Sequence, residues 1–494
     1  MPRAVRRLAT RPAAALFALL LGIYAYFYQA GGWNQNSRFN LVRAVVEDGS
    51  LRIDRFEKNT GDDSVRDGHY YCDKAPGASW LCMPTYAAMY HLAGAPRPTP
   101  PGWLAWAVWL SIVVAISVPS AIAAVFLARL AGQLGLGPIS ALVVALGWGL
   151  ATMGLPYATL LYGNQLAGAL MLIAFTLLVE IRHGAAPTPA RMFIVGALLG
   201  FAGATEYPAA LIAGPIGVYG LVVAGWRRCL WAILGGAIPL AALLWYHAAA
   251  FGSPFAFPYD YSVWKEPKTG WFMGIDVPRG WALRNILVGE YRGLLYTTPW
   301  LALAVPGAWF LARRHAAEVV VCAWAVIAFL WLNSSIPPWH GGWGAGPRYL
   351  VPMLPFAAVL AGGVLTRLAP RLRATRPLER GAAVVAALAL AGLLAVSTAN
   401  MFAATAVKPE IDTKWKRPYA QFVWPNFKRG KLSVSTQSID MLGNPAKGPR
   451  QAWNLGMKMG LDGHASLVPL YLWVLACAAW LAWAQRASRE RPRT

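Results

Sequence analysis

Apolar residues fall in long blocks near 13–30, 103–130, 138–155, 164–182, 190–205, 207–225, 229–248, 296–312, 317–333, 349–368, 381–403 and 466–484. A helix rises 1.5 Å per residue, so about 20 apolar residues cross a bilayer, and most of these blocks reach or approach that length. The alternating ten-residue segments of a transmembrane barrel are missing. The pattern predicts an all-α polytopic membrane protein with about 12 transmembrane helices. It divides the chain into a transmembrane core over 1–403, an extracytoplasmic segment over 404–465, and a last helix with a basic tail over 466–494.

Composition agrees with the pattern. The chain is 57% hydrophobic and only 13% charged, whereas soluble domains carry about a quarter charged residues. Its 24 tryptophans suit the two membrane–water interfaces. The net charge of +23 would fit a nucleic-acid binder if it formed one patch. Instead the arginines cluster between apolar blocks, as at Arg182 and Arg191, Arg227 and Arg228, Arg313 and Arg314, and Arg367 to Arg380. That is the positive-inside distribution, so nucleic acid is excluded as a partner and anionic membrane lipid is expected. Arg3, Arg6, Arg7 and Arg11 precede the first block and predict a retained first helix with a cytoplasmic start. Arg486, Arg491 and Arg493 place the basic tail on the same side. The longer polar segments, 31–102, 249–295 and 404–465, then all face outward with the short 334–348, and outward is where chemistry is expected. In a bacterium this is a multi-pass inner-membrane protein with its site facing the periplasm or cell exterior.

The first outer segment is the most informative. Ser37 to Asp48 reads as an interfacial amphipathic helix, with Phe39, Val42, Val45 and Val46 on one face and Arg38, Arg43 and Glu47 elsewhere. Gly49 stops it. An ionic stretch follows, holding Asp54, Glu57, Lys58, Asp62, Asp63, Arg66, Asp67, His69, Asp73 and Lys74. Most of these charges read as a solvated loop. Asp73-Lys74 differs, because it lies between Tyr70-Tyr71 and a second short apolar helix, Trp80 to Leu92. Cys72 and Cys82 share this segment, and an oxidising exterior would allow either a disulfide or two free thiols. Cys229, Cys322 and Cys477 read as buried thiols.

Further candidates lie nearer the other blocks. Arg348 opens the block 349–368 after a glycine-rich aromatic loop, where a helix start and a guanidinium would both favour an anion. His340 and Tyr349 flank it as candidate substrate-binding groups, His340 reading better as an interfacial imidazole than as a metal ligand. Glu290 and Arg292 stand together before the block 296–312 and read as a partner pair, with Arg292 a second phosphate candidate. Glu206 sits at the turn between two blocks, and a membrane-edge carboxylate is a functional candidate by default. Aromatic residues from Tyr259 to Trp264, with Trp271 and Phe272, would suit sugar rings or a folded loop core. The last outer segment has ten Lys or Arg against four acids, with Trp415, Trp424 and Phe427; an anionic acceptor and anionic lipid both fit it.

The layout of an N-terminal helix, an outer loop with interfacial helices, and Asp73-Lys74-Ala75-Pro76-Gly77 before an apolar helix resembles the GT-C integral-membrane glycosyltransferases. The nearest branch is the protein-mannosyltransferase and aminoarabinose-transferase type, which carries an acid and then Lys-Pro here. The stretches Asn36 to Phe39, Ile53-Asp54, Thr60-Gly61-Asp62, Gly289 to Leu295, Trp339 to Trp343 and Gly346 to Leu350 fit the same resemblance. It implies an inverting hexosyl- or pentosyltransferase that takes sugar from a polyprenyl-phosphate carrier to a lipid, glycan or protein acceptor. It implies that Asp73 and Lys74 lie beside the donor phosphate or a divalent metal ion, the one cofactor it leaves room for. One departure stands out. The family's catalytic aspartate follows the first helix, where this chain has Asn34 and Asn36, so either the base comes from Asp54, Asp62 or Asp73 or the chain does not perform the family reaction.

Two other classes compete. A lipid or glycan transporter or flippase would need ionisable residues within several spans, and the apolar blocks are nearly free of them. A non-catalytic envelope-assembly protein would need no cluster of acid and base at one membrane face.

Overall fold

The computed structural model describes residues 10–263, 275–440 and 449–489. Arg3, Arg6, Arg7, Trp264, Trp271, Phe272, Arg491 and Arg493 lie outside the described residues. The chain is a predominantly helical polytopic membrane protein with almost no sheet. Among the described residues, eight helices are long and apolar enough to span a bilayer, and three shorter apolar ones are Pro12–Ala25, Pro138–Leu150 and Pro189–Thr205. The longest, Pro299–Ser335, is two spans in one: its backbone leaves helical geometry at His315, with φ −134° and ψ 46°. Both of its ends return to one side, since Arg292 Nη2 and the Gly344 amide donate to the same Ile411 carbonyl at 3.0 and 3.2 Å. Counted as two, it brings the spans to the expected twelve.

Helix Gly163–Arg182 is nearly wholly buried in the bundle, while Pro377–Val407 lies on its outside. In a lipid solvent close backbone approach, rather than exclusion of water, drives such packing. Glycines permit it where Pro189–Thr205 crosses Trp226–Phe251: a Cβ on Gly196 would meet the Ala232 carbonyl oxygen at 1.7 Å, and one on Gly235 the Phe193 carbonyl oxygen at 2.0 Å. The first block ends sooner than the hydropathy indicates. Its helix stops at Ala25, and Phe27–Tyr28 pair antiparallel with Trp453–Asn454. Trp473 Nε1, on the last helix, donates to the Ala18 carbonyl at 3.2 Å, so the first and last described helices pack together.

The helix expected in the first outer segment is present, but it is not half-exposed as an amphipathic pattern implies. The helix runs Trp33–Asp48, and both its polar and its apolar positions are buried, Arg38, Arg43 and Glu47 included. These charges survive burial because each is paired. Arg43 meets Glu47 at 2.7 Å and Asp440 at 2.9 Å, and Tyr86 Oη donates to Glu47 at 2.6 Å. A helix that is polar all round gives a weak amphipathic signal, and pairing decides its placement. Gly49 ends it in the left-handed region, as expected.

A hairpin then joins Asp63–Arg66 to His69–Cys72 through Asp67-Gly68, both at positive φ, the turn whose twist matches the flanking strands. Helix Gly77–Leu92 follows. The segment after Val407 is no free loop. Asn36 Nδ2 donates to the Ser438 carbonyl at 2.9 Å, and Asn59 Nδ2 to the Ile439 carbonyl at 3.0 Å. Trp415, Trp424 and Phe427 pack partly buried against the core. Cys72 and Cys82 are free and separately buried, so no bridge joins them.

Candidate functional site

The hairpin register builds the first half of the site. Asp63 stands opposite Cys72, so one residue outward Asp62 faces Asp73. The Lys74 ammonium closes the gap, with Nζ 3.1 Å from Asp62 Oδ2 and 2.8 Å from Asp73 Oδ2. Ser37 Oγ donates to Asp73 Oδ1 at 3.2 Å, so both oxygens of Asp73 are engaged. Pro76 and Gly77 then start a helix hard against its neighbour: a Cβ on Gly77 would meet Thr205 Oγ1 at 2.5 Å. That contact brings Glu206 alongside. Arg38 Nη2 meets Glu206 Oε1 at 2.6 Å while its Nη1 donates to the Ala75 carbonyl at 2.9 Å. The Tyr259 ring lies 5.9 Å from Lys74 Nζ, and Tyr207 lies edge-on to Tyr259 at 6.1 Å.

The electrostatics separate the carboxylates. Burial would raise the Asp62 pKa, but Lys74 and then Arg348 outweigh it and hold Asp62 below its ordinary value. Burial pushes Asp73 up despite Lys74, and Asp62 adds to the rise. Asp63, turned to the other face, is pushed up to about 6 by burial and then by Asp73 and Asp62. Lys74 stays charged well above neutral pH, because Asp62 and Asp73 overcome the cost of its burial. Counting Lys74 and Arg38 against Asp62, Asp73 and Glu206 as formal charges, this half carries a net negative charge.

The second half is positive. Arg348 Nη1 donates to Tyr162 Oη at 3.1 Å and packs its guanidinium over the Tyr162 and Tyr349 rings at 5.2 and 5.3 Å. Tyr162 Oη donates to Glu410 Oε1 at 2.7 Å, and Gln35 Nε2 to Glu410 Oε2 at 2.8 Å. Burial pushes the Glu410 carboxyl up. Lys408 lies 4.8 Å over the Trp343 ring, and burial lowers its pKa. Helix Trp33–Asp48 joins the two halves, with Ser37 bonded to Asp73 and Gln35 to Glu410.

Several expected residues stand elsewhere. Asp54 is not in the site: it meets His69 Nδ1 at 2.8 Å and accepts from the Tyr70 amide at 2.6 Å, bracing the exposed hairpin. Glu290 and Arg292 are not partners. Glu290 meets Arg417 at 2.6 Å, and Arg292 is buried, packed over the Tyr291 ring at 4.9 Å and donating to the Ile411 carbonyl. His340 packs on Tyr291 and Trp339, with Nδ1 accepting from the Gly342 amide at 3.0 Å. The donor set also does not fit a divalent metal. The Lys74 ammonium fills the space between Asp62 and Asp73, and among the described residues no three His, Cys, Asp or Glu side chains converge to hold a metal.

Sequence reading missed Arg38, Gln35, Tyr162 and Glu410. Arg38 was hidden by a helix that looked amphipathic. The other three meet only through folding, 375 positions apart for Gln35 and Glu410, and no local spacing signals them.

No protein-family model matches the chain, and no curated protein does. Among solved structures it is similar to ArnT from Cupriavidus metallidurans in the apo state, at 17% identity and TM-score 0.46 over 85% of this chain and 78% of that one. The same protein bound to undecaprenyl phosphate gives 17% and 0.45, over 87% and 80%. The apo oligosaccharyltransferase of Archaeoglobus fulgidus gives 11% and 0.49, over 89% of this chain and 61% of that one. These likenesses are loose, and the functional reading rests on the residues above.

Proposed function

We propose that the chain is a membrane glycosyltransferase that moves a sugar from a polyprenyl-phosphate donor to a hydroxyl of an acceptor, at the outer face of a bacterial inner membrane. The observation that carries this reading is the pairing of Asp62 and Lys74 at 3.1 Å in one half-site, tied through helix Trp33–Asp48 to the Arg348–Tyr162–Glu410 cluster in the other. Arg348 and Lys74 receive the donor phosphate. Asp62 accepts the acceptor proton: its side chain is about a fifth exposed, whereas Asp73 is buried with both oxygens engaged.

The acceptor oxygen forms its bond to the anomeric carbon as the carbon–oxygen bond to phosphate breaks. The proton passes to Asp62, and the bonding pair leaves on the phosphate oxygen. Fixed cations in a water-poor site stabilise that developing charge more than water would. A single displacement of this kind inverts the anomeric centre. No step uses a metal, because the ammonium holds the place between the carboxylates.

The test is transfer from labelled polyprenyl-phosphate sugars by purified protein. Lys74→Ala and Arg348→Ala should each lose about 10²–10³ in rate, the usual cost of one charge-stabilising group. Asp62→Asn should be nearly inactive and Asp54→Asn near wild type. Near-wild-type transfer by Asp62→Asn would remove the base; near-wild-type transfer by all three site variants would remove the site.

A further inference from the structure

A cavity of about 310 Å³ lies outside the transfer site, at the outer edge of the bundle. Its walls join the end of the first span and the start of the second, through Tyr28 and Gly102, to the late outer segment, through Asp440, Arg450, Trp453 and Lys458. The first helix stops at Ala25 and the second span begins at Pro101, so the cavity sits at headgroup level. Trp106 and Trp109, on the helix that begins there, stand 4.5 and 5.9 Å from Trp453, as in an aromatic belt at that depth. A Cβ on Gly102 would meet nothing within 4 Å, so the cavity is open beside the helix start.

The charged and polar groups of this cavity are incompletely used. Lys458 Nζ lies 4.9 Å from the Trp453 ring and 5.8 Å from the Trp106 ring, and among the described residues no carboxylate pairs with it. Arg450 meets Asp462 at a loose 3.7 Å. Asp440 gives Oδ1 to Arg43 at 2.9 Å and leaves Oδ2 without a partner among the described residues. Trp453 is 5% exposed, and its Nε1 has no acceptor among the described residues. A phosphate ester supplies oxygens to two cations and an indole N–H together. A ligand that is only anionic would also bring its charge against Asp440, and like charges repel strongly where water is scarce. The carboxylate calls for a cation close to the phosphate. The Tyr28 and Trp453 rings, 5.1 Å apart, favour a cation as well.

We propose that this cavity seats the headgroup of a zwitterionic phospholipid with a primary ammonium, its phosphate at Lys458 and Arg450 and its ammonium at Asp440. The acyl chains then run beside helix Pro101–Ile112, where Trp106 is partly exposed to lipid. Ser438 and Ile439 also line the cavity, and their carbonyls hold Asn36 and Asn59. An occupied seat therefore braces, from behind, the stretch that fixes helix Trp33–Asp48. The seat is separate from the donor site and stands whether or not the transferase reading holds.

The experiment follows thermal unfolding of the full chain in detergent with added phosphatidylethanolamine, phosphatidylcholine, phosphatidylglycerol or free phosphoethanolamine. A ligand of the folded state raises the midpoint once its concentration passes Kd. Phosphatidylethanolamine should act at about tenfold lower concentration than the other two lipids, the worth of one charge-assisted hydrogen bond to Asp440. Gly102→Leu puts an apolar side chain into open space, should fold normally, and should abolish that preference. Lys458→Gln, at an exposed position, should weaken the responses to phosphatidylethanolamine and phosphatidylglycerol by a similar factor. Equal responses of wild type to those two lipids would overturn the ammonium assignment. A preference that survives both variants would overturn the place, and no response to any lipid would overturn the seat. A response to phosphoethanolamine as strong as that to the lipid would mark a site for a soluble anion and overturn the lipid.

Discussion

Asp62, Asp63 and Asp73 carry the same carboxyl group on one short hairpin, yet each meets different neighbours. Asp62 is held ionised by Lys74 and Arg348, and Asp73 is engaged at both oxygens. Asp63 leaves Oδ1 buried without a partner and holds its proton up to about pH 6. A group whose pKa is raised by folding contributes stability below its unfolded value, near 3.9, and loses it as pH rises through the folded value. Asp63→Asn stays neutral throughout. Relative to wild type it should therefore gain stability between pH 4.5 and pH 7.5, by about 1 kcal/mol after solvent screening is allowed for. Thermal unfolding of both proteins in detergent at the two pH values measures this, and a pH-independent difference between them would contradict it. The sequence showed these acids as one ionic stretch. Asp67-Gly68 was there to be read as a hairpin turn, and its register is what sorts the acids by face.

Elements meet at Arg38. Its side chain ties helix Trp33–Asp48 to the Ala75 carbonyl and to Glu206, at the end of helix Pro189–Thr205. Removing one partner of a buried ion pair strands the other, at about 3–5 kcal/mol, whereas replacing both by apolar groups is often nearly neutral. Arg38→Met should destabilise by about that amount, towards the lower end because Glu206 keeps some exposure. The double variant Arg38→Met with Glu206→Leu should recover most of the loss. Denaturation midpoints of the three variants form the cycle, and a strictly additive double variant would show that the pair is not coupled. Hydropathy located the spans well because lipid demands long apolar helices. It did not anticipate the burial of Trp33–Asp48, which depends on partners as distant as Asp440, and it ran the first span past Ala25, where strand pairing takes over.

At the scale of the whole molecule, the twelve-span thread puts residues 33–92 and the segment after Val407 on one side and the arginine clusters on the other. Both outer segments contribute to the site, through Lys74 and through Glu410. Cysteines replacing exposed Lys58 and Lys414 should react with a membrane-impermeant reagent added outside cells, and a cysteine replacing Thr375 should not. Labelling at Thr375 from outside would break the thread and move the site to the other face. The spans themselves were legible in the order of apolar blocks, because the bilayer sets their length. The joining of the two half-sites was not, since it is made by contacts that no sequence period encodes.

The pairing of Phe27–Tyr28 with Trp453–Asn454 bears on how the protein is made. A ribosome delivers the first of these strands more than 400 residues before the second. Helix Trp33–Asp48 waits 375 residues for the Glu410 that its Gln35 contacts and 402 for the Ser438 carbonyl that its Asn36 contacts. The early half of the site is thus inserted with its binding groups in place but without the late chain that seats them. A nascent chain at that stage carries Asp62 and Lys74 but not yet Arg348 or Glu410. The two halves can meet only after the late segment folds back onto helix Trp33–Asp48, and the last helix docks beside the first.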